Sequence, residues 1–170
     1  MIAHLFSRIG QRHLGLMRIG NLSLPCAIGR SGIVTQKREG DGATPRTMLR
    51  PVAIYFRPDQ SRRRGFVLPA KAITQMSGWC DDPRSPRYNR PIKLPSSLSH
   101  EKLWREDSLY DIVIETDWNR RPAIRGRGSA IFIHLARPGF KPTEGCIAFD
   151  RKGMKLFLSL LRMNMRIHIH

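Results

Sequence analysis

The sequence predicts a mostly β fold with one late helix. Short runs rich in Ile, Val, Leu and Phe recur along the chain, and Gly and Pro turns separate them. A sustained helical apolar period shows only near the end. At 170 residues the chain is long enough to bury one full hydrophobic core.

Residues 1–12 read as a loosely ordered N-terminal arm, and residues 13–170 as one domain. Residues 14–19 and 22–28 alternate around Gly20-Asn21, the pattern of a β-hairpin. Pro25 places the second run at an edge or a bulge. Residues 29–47 form a glycine-rich loop carrying Lys37, Asp41 and Thr44-Pro45, without the Gly-Lys-Ser/Thr of a phosphate loop. Residues 52–56 and 66–68 read as strands on either side of a charged turn bearing Arg62, Arg63 and Arg64, a solvated loop tip.

Residues 78–91 mix aromatic and polar groups, among them Trp79, Tyr88 and Asn89. The adjacent Asp81 and Asp82 point apart in an extended chain and predict no metal. Ser99 is placed to cap a short helix over residues 100–104. Residues 109–116 and 129–135 read as strands. Asp150 caps a helix over residues 151–163, whose apolar face holds Leu156, Phe157, Leu160 and Leu161. Residues 166–170 close the chain as a strand. His168 and His170 share one face of it, as exposed positions alternating with isoleucines. Two imidazoles are weak grounds for a metal, and His4, His13 and His100 show no partner pattern, so no metal and no cofactor is expected.

Charge is the unusual feature of the composition. Thirty Lys and Arg against thirteen Asp and Glu give a formal +17, which favours contact with a polyanion, whether nucleic acid, an anionic membrane or an acidic wall polymer. Helix-turn-helix, zinc-finger and RNP-like patterns are missing, so nucleic acid is not the expected partner. No apolar run reaches the length of a membrane span. The start of the chain lacks a secretory pattern. Three cysteines and no Cys-x-x-Cys exclude a disulfide framework.

The chemistry concentrates between residues 128 and 148. A strand over residues 130–135 carries His134 near its end. Pro138-Gly139 and Pro142 punctuate a loop, and Gly145 lets the backbone bend just before Cys146. A histidine and a cysteine twelve residues apart across such a return can meet in space. The imidazole can then draw the proton from the thiol, whose thiolate is the reactive form. Backbone N–H groups beside the glycine can hold an oxyanion. Cys26 and Cys80 have no such setting and read as small buried hydrophobes.

This stretch resembles the catalytic signature of the YkuD-type L,D-transpeptidases: a histidine after a hydrophobic strand, a loop, then Ser/Thr-His-Gly-Cys. His134, Thr143, Gly145 and Cys146 match, while Glu144 replaces the usual second histidine and Ala148 a common arginine. The chain looks like the branch that reads Pro-Thr-Glu-Gly-Cys. The resemblance implies a β-sandwich with the late helix packed on it and long active-site loops. It implies Cys146 as nucleophile, His134 as base, Thr143 and Gly145 as supporting catalytic residues, and peptidoglycan stem peptides or muropeptides as substrates. By the same resemblance Trp79, Tyr88 and Asn89 wall the substrate cleft, with Glu144 beside the nucleophile. Arg137, three residues after His134, is placed to meet a substrate carboxylate.

The expected reaction is L,D-transpeptidation at the bond between diaminopimelate and D-Ala. L,D-carboxypeptidation is the alternative if water replaces the acceptor amine. A basic polyanion-binding domain on an inactive scaffold is the alternative of another class. Family analogy places the protein in the bacterial periplasm or cell envelope, whereas the missing export pattern favours the cytoplasm. A monomer is expected.

Overall fold

The computed structural model describes residues 1–61 and 65–170. The Arg62–Arg63–Arg64 triplet, read from sequence as a loop tip, lies outside the described residues.

Strands β1 (Ile2–Arg8), β2 (Gln11–Ile19) and β3 (Leu22–Ala27) form an antiparallel meander, with Gly20-Asn21 turning between β2 and β3 as the hairpin pattern predicts. The short strands β4 (Ile33–Val34) and β5 (Thr44–Pro45) pair in parallel inside the glycine-rich segment. After β6 (Met48–Leu49), β7 (Pro51–Phe56) and β8 (Ala70–Ala72) run parallel to each other. Strands β9 (Ser77–Cys80), β10 (Arg90–Lys93) and β11 (His100–Lys102) make a separate three-stranded sheet with β9 in the centre. Then come β12 (Ile112–Thr116), β13 (Phe132–Leu135), β14 (Ile147–Phe149), helix α1 (Arg151–Leu160) and β15 (Arg166–Ile169).

Among the described residues the main sheet has the order β6-β15-β1-β2-β3-β14-β13-β12-β7-β8. One apolar cluster draws Leu5, Met17 and Ile167 from one half of this sheet and Ile54, Ile114 and Ile133 from the other. A shared core between two sheet halves is what a β-sandwich requires. Helix α1 covers the same core with Met154 and Phe157, and Phe157 stacks on Phe149 at 5.2 Å. Burying a side chain of that size contributes roughly 1.5–3 kcal/mol. Asp150 caps α1 by accepting from Gly153 N–H at 2.6 Å. The fold is therefore mostly β, a sandwich with one late helix.

Three local expectations differ from the structure. Residues 2–8, read as a loose arm, form β1, which sits between β15 and β2. Its alternating Ala3 and Leu5 are fully buried, so a short and weakly apolar run is held by its two neighbours. Residues 100–102 are strand rather than helix, because pairing with β9 overrides a helix too short to be stable alone. Residues 66–68 form no strand, and the partner of β7 is residues 70–72 instead.

The alternation along β13 matters most for function. Ile131, Ile133 and Leu135 enter the main core, while Phe132 and His134 face the opposite side. There a second cluster forms from Tyr55, Trp79, Tyr110, Val113, Phe132 and Cys146.

Candidate active site

The turn before Cys146 is built from glycine and two threonines. Gly145 has φ +134°, and a Cβ there would lie 2.6 Å from the Ala43 carbonyl oxygen. No side chain fits so close to backbone. The Thr44 hydroxyl donates to the Gly145 carbonyl at 2.9 Å and accepts from Gly29 N–H at 2.9 Å. The Thr143 hydroxyl donates to the Cys146 carbonyl at 2.7 Å and accepts from Gly145 N–H at 3.2 Å. The Thr143 backbone joins residues 28–30, donating to Ile28 O at 3.0 Å and accepting from Arg30 N–H at 2.9 Å. The glycine-rich loop thus underlies the turn before Cys146, and Lys37, buried and paired with Asp41 at 2.6 Å, anchors it.

Strands β13 and β14 are parallel neighbours, with His134 in register with Ala148. Cys146 precedes Ala148 by two residues, so Cys146 and His134 occupy the same side of the sheet. Both line a cavity of about 260 Å³. The thiol is held by backbone: it donates to Ala130 O at 3.1 Å, and Phe132 N–H donates to the sulfur at 3.3 Å. His134 Nδ1 lies 2.8 Å from Leu135 O. A carbonyl only accepts, so Nδ1 carries the proton and Nε2 is the basic nitrogen. The Tyr110 ring meets the imidazole edge-on at 5.2 Å.

Burial sets the charge state of the pair. It pushes the Cys146 thiol up to about 12, reinforced by the Glu101 carboxylate and opposed by Phe132 N–H and Lys37. It pushes His134 down to about 4, with the Leu135 hydrogen bond acting in the opposite sense. The resting site is therefore a neutral thiol beside a neutral imidazole.

The chain matches the family model for the L,D-transpeptidase catalytic domain, YkuD, over residues 5–169. The chain belongs to the L,D-transpeptidase family. Comparison with curated proteins and with solved structures gives no match. The family is one of bacterial cell-wall enzymes that act on peptidoglycan.

In this L,D-transpeptidase domain, the cavity brings together Cys146, His134, Thr143, Glu144 and Arg137. Glu144 is exposed at the rim and forms an ion pair with Arg30. Gly145 lies directly beneath, in the turn. Trp79, Tyr88 and Asn89 do not line the cavity; they are buried beside it. Asn89 Oδ1 accepts from Trp79 Nε1–H and from Ala130 N–H, each at 3.0 Å. Its Nδ2 donates to the Trp118 and Asn119 carbonyls. Ala130 has φ +51°, a conformation uncommon for alanine, and its carbonyl receives the thiol. Asn89 therefore fixes the backbone whose carbonyl accepts from the Cys146 thiol. The Tyr88 hydroxyl donates to Glu39.

Sequence reasoning missed Glu101, Arg105 and Tyr110, which also line the cavity. Tyr110 donates to Glu101 at 2.6 Å, and burial raises the Glu101 carboxyl. Residues 100–104 read as a short helix, which hid Glu101. Residues 109–116 read as one strand, whereas Tyr110 ends a 3-10 turn and the strand begins at Ile112.

Proposed function

We propose that the protein is a cysteine-dependent L,D-transpeptidase acting on the diaminopimelate–D-Ala bond of peptidoglycan stem tetrapeptides. The observation that carries this reading is the pairing of Cys146 and His134 on one face of adjacent strands, at a cavity flanked by Arg105, Arg137 and Lys141. Those cations suit the carboxylate of the terminal D-Ala, with Arg137 able to bind it bidentately. Exposed Glu144 suits an ammonium on the peptide.

In the reaction, His134 Nε2 takes the thiol proton as Cys146 Sγ attacks the diaminopimelate carbonyl. The Cys146 N–H supports the oxyanion, since the Gly145 N–H already donates to Thr143. As the C–N bond breaks, the imidazolium passes its proton to the leaving amine. D-Ala departs and a Cys146 thioester remains. A second stem-peptide amine then attacks the thioester, giving the cross-link and restoring the thiol. Water in place of the amine gives L,D-carboxypeptidation. Transpeptidation suits the periplasm or cell envelope, whereas carboxypeptidation of recycled wall fragments suits the cytoplasm. Among the described residues, no helix is long and apolar enough to cross a membrane.

The test is incubation of the purified protein with a disaccharide-tetrapeptide, followed by product mass spectrometry beside Cys146→Ser. D-Ala release with cross-linked dimers, lost in the variant, is the expected outcome. Tripeptide without dimers would assign carboxypeptidation. Absence of any Cys146-dependent product would favour an inactive polyanion-binding scaffold.

A further inference from the structure

The outer face of β1 and β15 carries a cluster that the reaction does not use. The two strands are parallel, with His4 in register with His168. Ala3, Leu5, Ile167 and Ile169 alternate into the core, which turns His4, His168 and His170 to the other face. All three are half-buried, and one ring nitrogen from each lies within 4.8 Å of the others. His4 Nδ1 and His170 Nε2 are 3.0 Å apart. Phe6 stacks on His170 at 4.4 Å with the rings 7° from parallel, which restrains that ring. In sheet order β2 and β3 lie between this cluster and β14, and none of its residues lines the cavity at Cys146.

We propose that His4, His168 and His170 bind one divalent transition-metal ion of the zinc class and so clamp the first strand to the last. Imidazole nitrogens suit zinc, nickel, copper and cobalt, whereas magnesium and calcium demand oxygen ligands. At zinc–nitrogen distances of about 2.0–2.1 Å, two nitrogens on a tetrahedral ion sit about 3.4 Å apart. The hydrogen-bonded His4–His170 nitrogens, 3.0 Å apart, would open by about 0.4 Å to take the ion, and the His168 nitrogen, within 4.8 Å of both, would move inward. Three histidines leave a fourth position for water or an anion. The ligands come from opposite ends of the sequence, so the ion holds only the folded state together, and binding it raises thermal stability.

The experiment is calorimetric titration of the full-length protein with Zn²⁺, in a Cys146→Ser background so that the reactive thiol does not compete. Saturation at one ion per chain is expected, with a dissociation constant of about 1 µM or tighter. His4→Gln and His168→Gln should each weaken it at least about tenfold, since even residues that only support a ligand cost that much. Zn²⁺ should raise the melting temperature of the parent more than that of His168→Gln at the same concentration. Carbethoxylation mapped by mass spectrometry needs no histidine variant: Zn²⁺ should protect His4, His168 and His170 while His13 and His100 stay reactive. No saturable binding at about 100 µM, well above that constant, would overturn the proposal. So would undiminished binding in both variants, or equal modification of all three histidines with and without Zn²⁺.

Discussion

Replacing Gly145 with alanine separates backbone geometry from chemistry, because alanine adds one methyl group and no polar atom. At φ +134° an L-residue is strained, at about 1–3 kcal/mol. The new Cβ would also stand 2.6 Å from Ala43 O and 3.0 Å from Ile131 Cδ1. The Ala43 carbonyl cannot retreat freely, because Thr44 beside it is hydrogen-bonded to both Gly145 and Gly29. Strain and displacement together should cost about 2–4 kcal/mol. For a chain of this length each kcal/mol moves the melting temperature by roughly 2–4 °C, so a drop of roughly 4–16 °C is expected. Gly10→Ala is the matched control: its φ is +80°, but nothing lies within 4 Å of its Cβ. It should cost only about 1 kcal/mol. The assay is calorimetric melting of both variants, with the rate of Cys146 alkylation measured alongside. A Gly145→Ala protein that melts with the Gly10→Ala control and alkylates at the parental rate would refute the tight-turn reasoning.

Thr143→Val removes the hydroxyl that joins Cys146 O to Gly145 N–H; product formation should fall by about tenfold or more while stability drops only about 1–2 kcal/mol, checked by steady-state kinetics and urea unfolding. Asn89→Ala leaves the buried Trp79 and Ala130 N–H groups without their acceptor; a loss of about 1–3 kcal/mol in urea unfolding is expected, with slower Cys146 alkylation although Asn89 lies outside the cavity. Stability should also follow pH through His134 and Cys146. His134 falls from 6.5 to about 4, so the unfolded chain binds the extra proton first, and stability declines as pH drops from about 6.5 to 4. The whole effect is on the order of 3 kcal/mol, and His134→Asn should flatten this limb in urea titrations across pH. Cys146 rises from 9.0 to about 12, so stability also declines as pH climbs above 9, a limb that buried Cys26 shares.

The legible parts of the chain were those whose pattern is local. Gly20-Asn21 with alternating flanks marked the hairpin, and Asp150 with its apolar periodicity marked α1. The bend at Gly145 and the apolar strand carrying His134 pointed to the cavity that Cys146 and His134 both line, because a left-handed glycine and an alternating strand are local signals. What stayed hidden depends on long-range pairing. Nothing local in residues 100–102 announces β9 as a partner, so they read as part of a short helix and Glu101 did not stand out as a cavity wall. The role of Asn89 is likewise tertiary: it acts on Ala130, forty-one positions away. Residues 2–8 looked loose because only Ala3 and Leu5 are apolar in the pattern that the sandwich reads, and their partners lie in β2 and β15. His4 showed no pattern for the same reason, since parallel pairing with His168 spans nearly the whole chain.

The claim on which the account rests is that Cys146 carries the acyl group. Intact-protein mass spectrometry after rapid mixing with the tetrapeptide substrate tests it most directly. The account predicts a transient adduct equal to the stem peptide less D-Ala, mapped to Cys146 and absent from Cys146→Ala. Continued D-Ala release by Cys146→Ala, with no adduct on the parent protein, would contradict it.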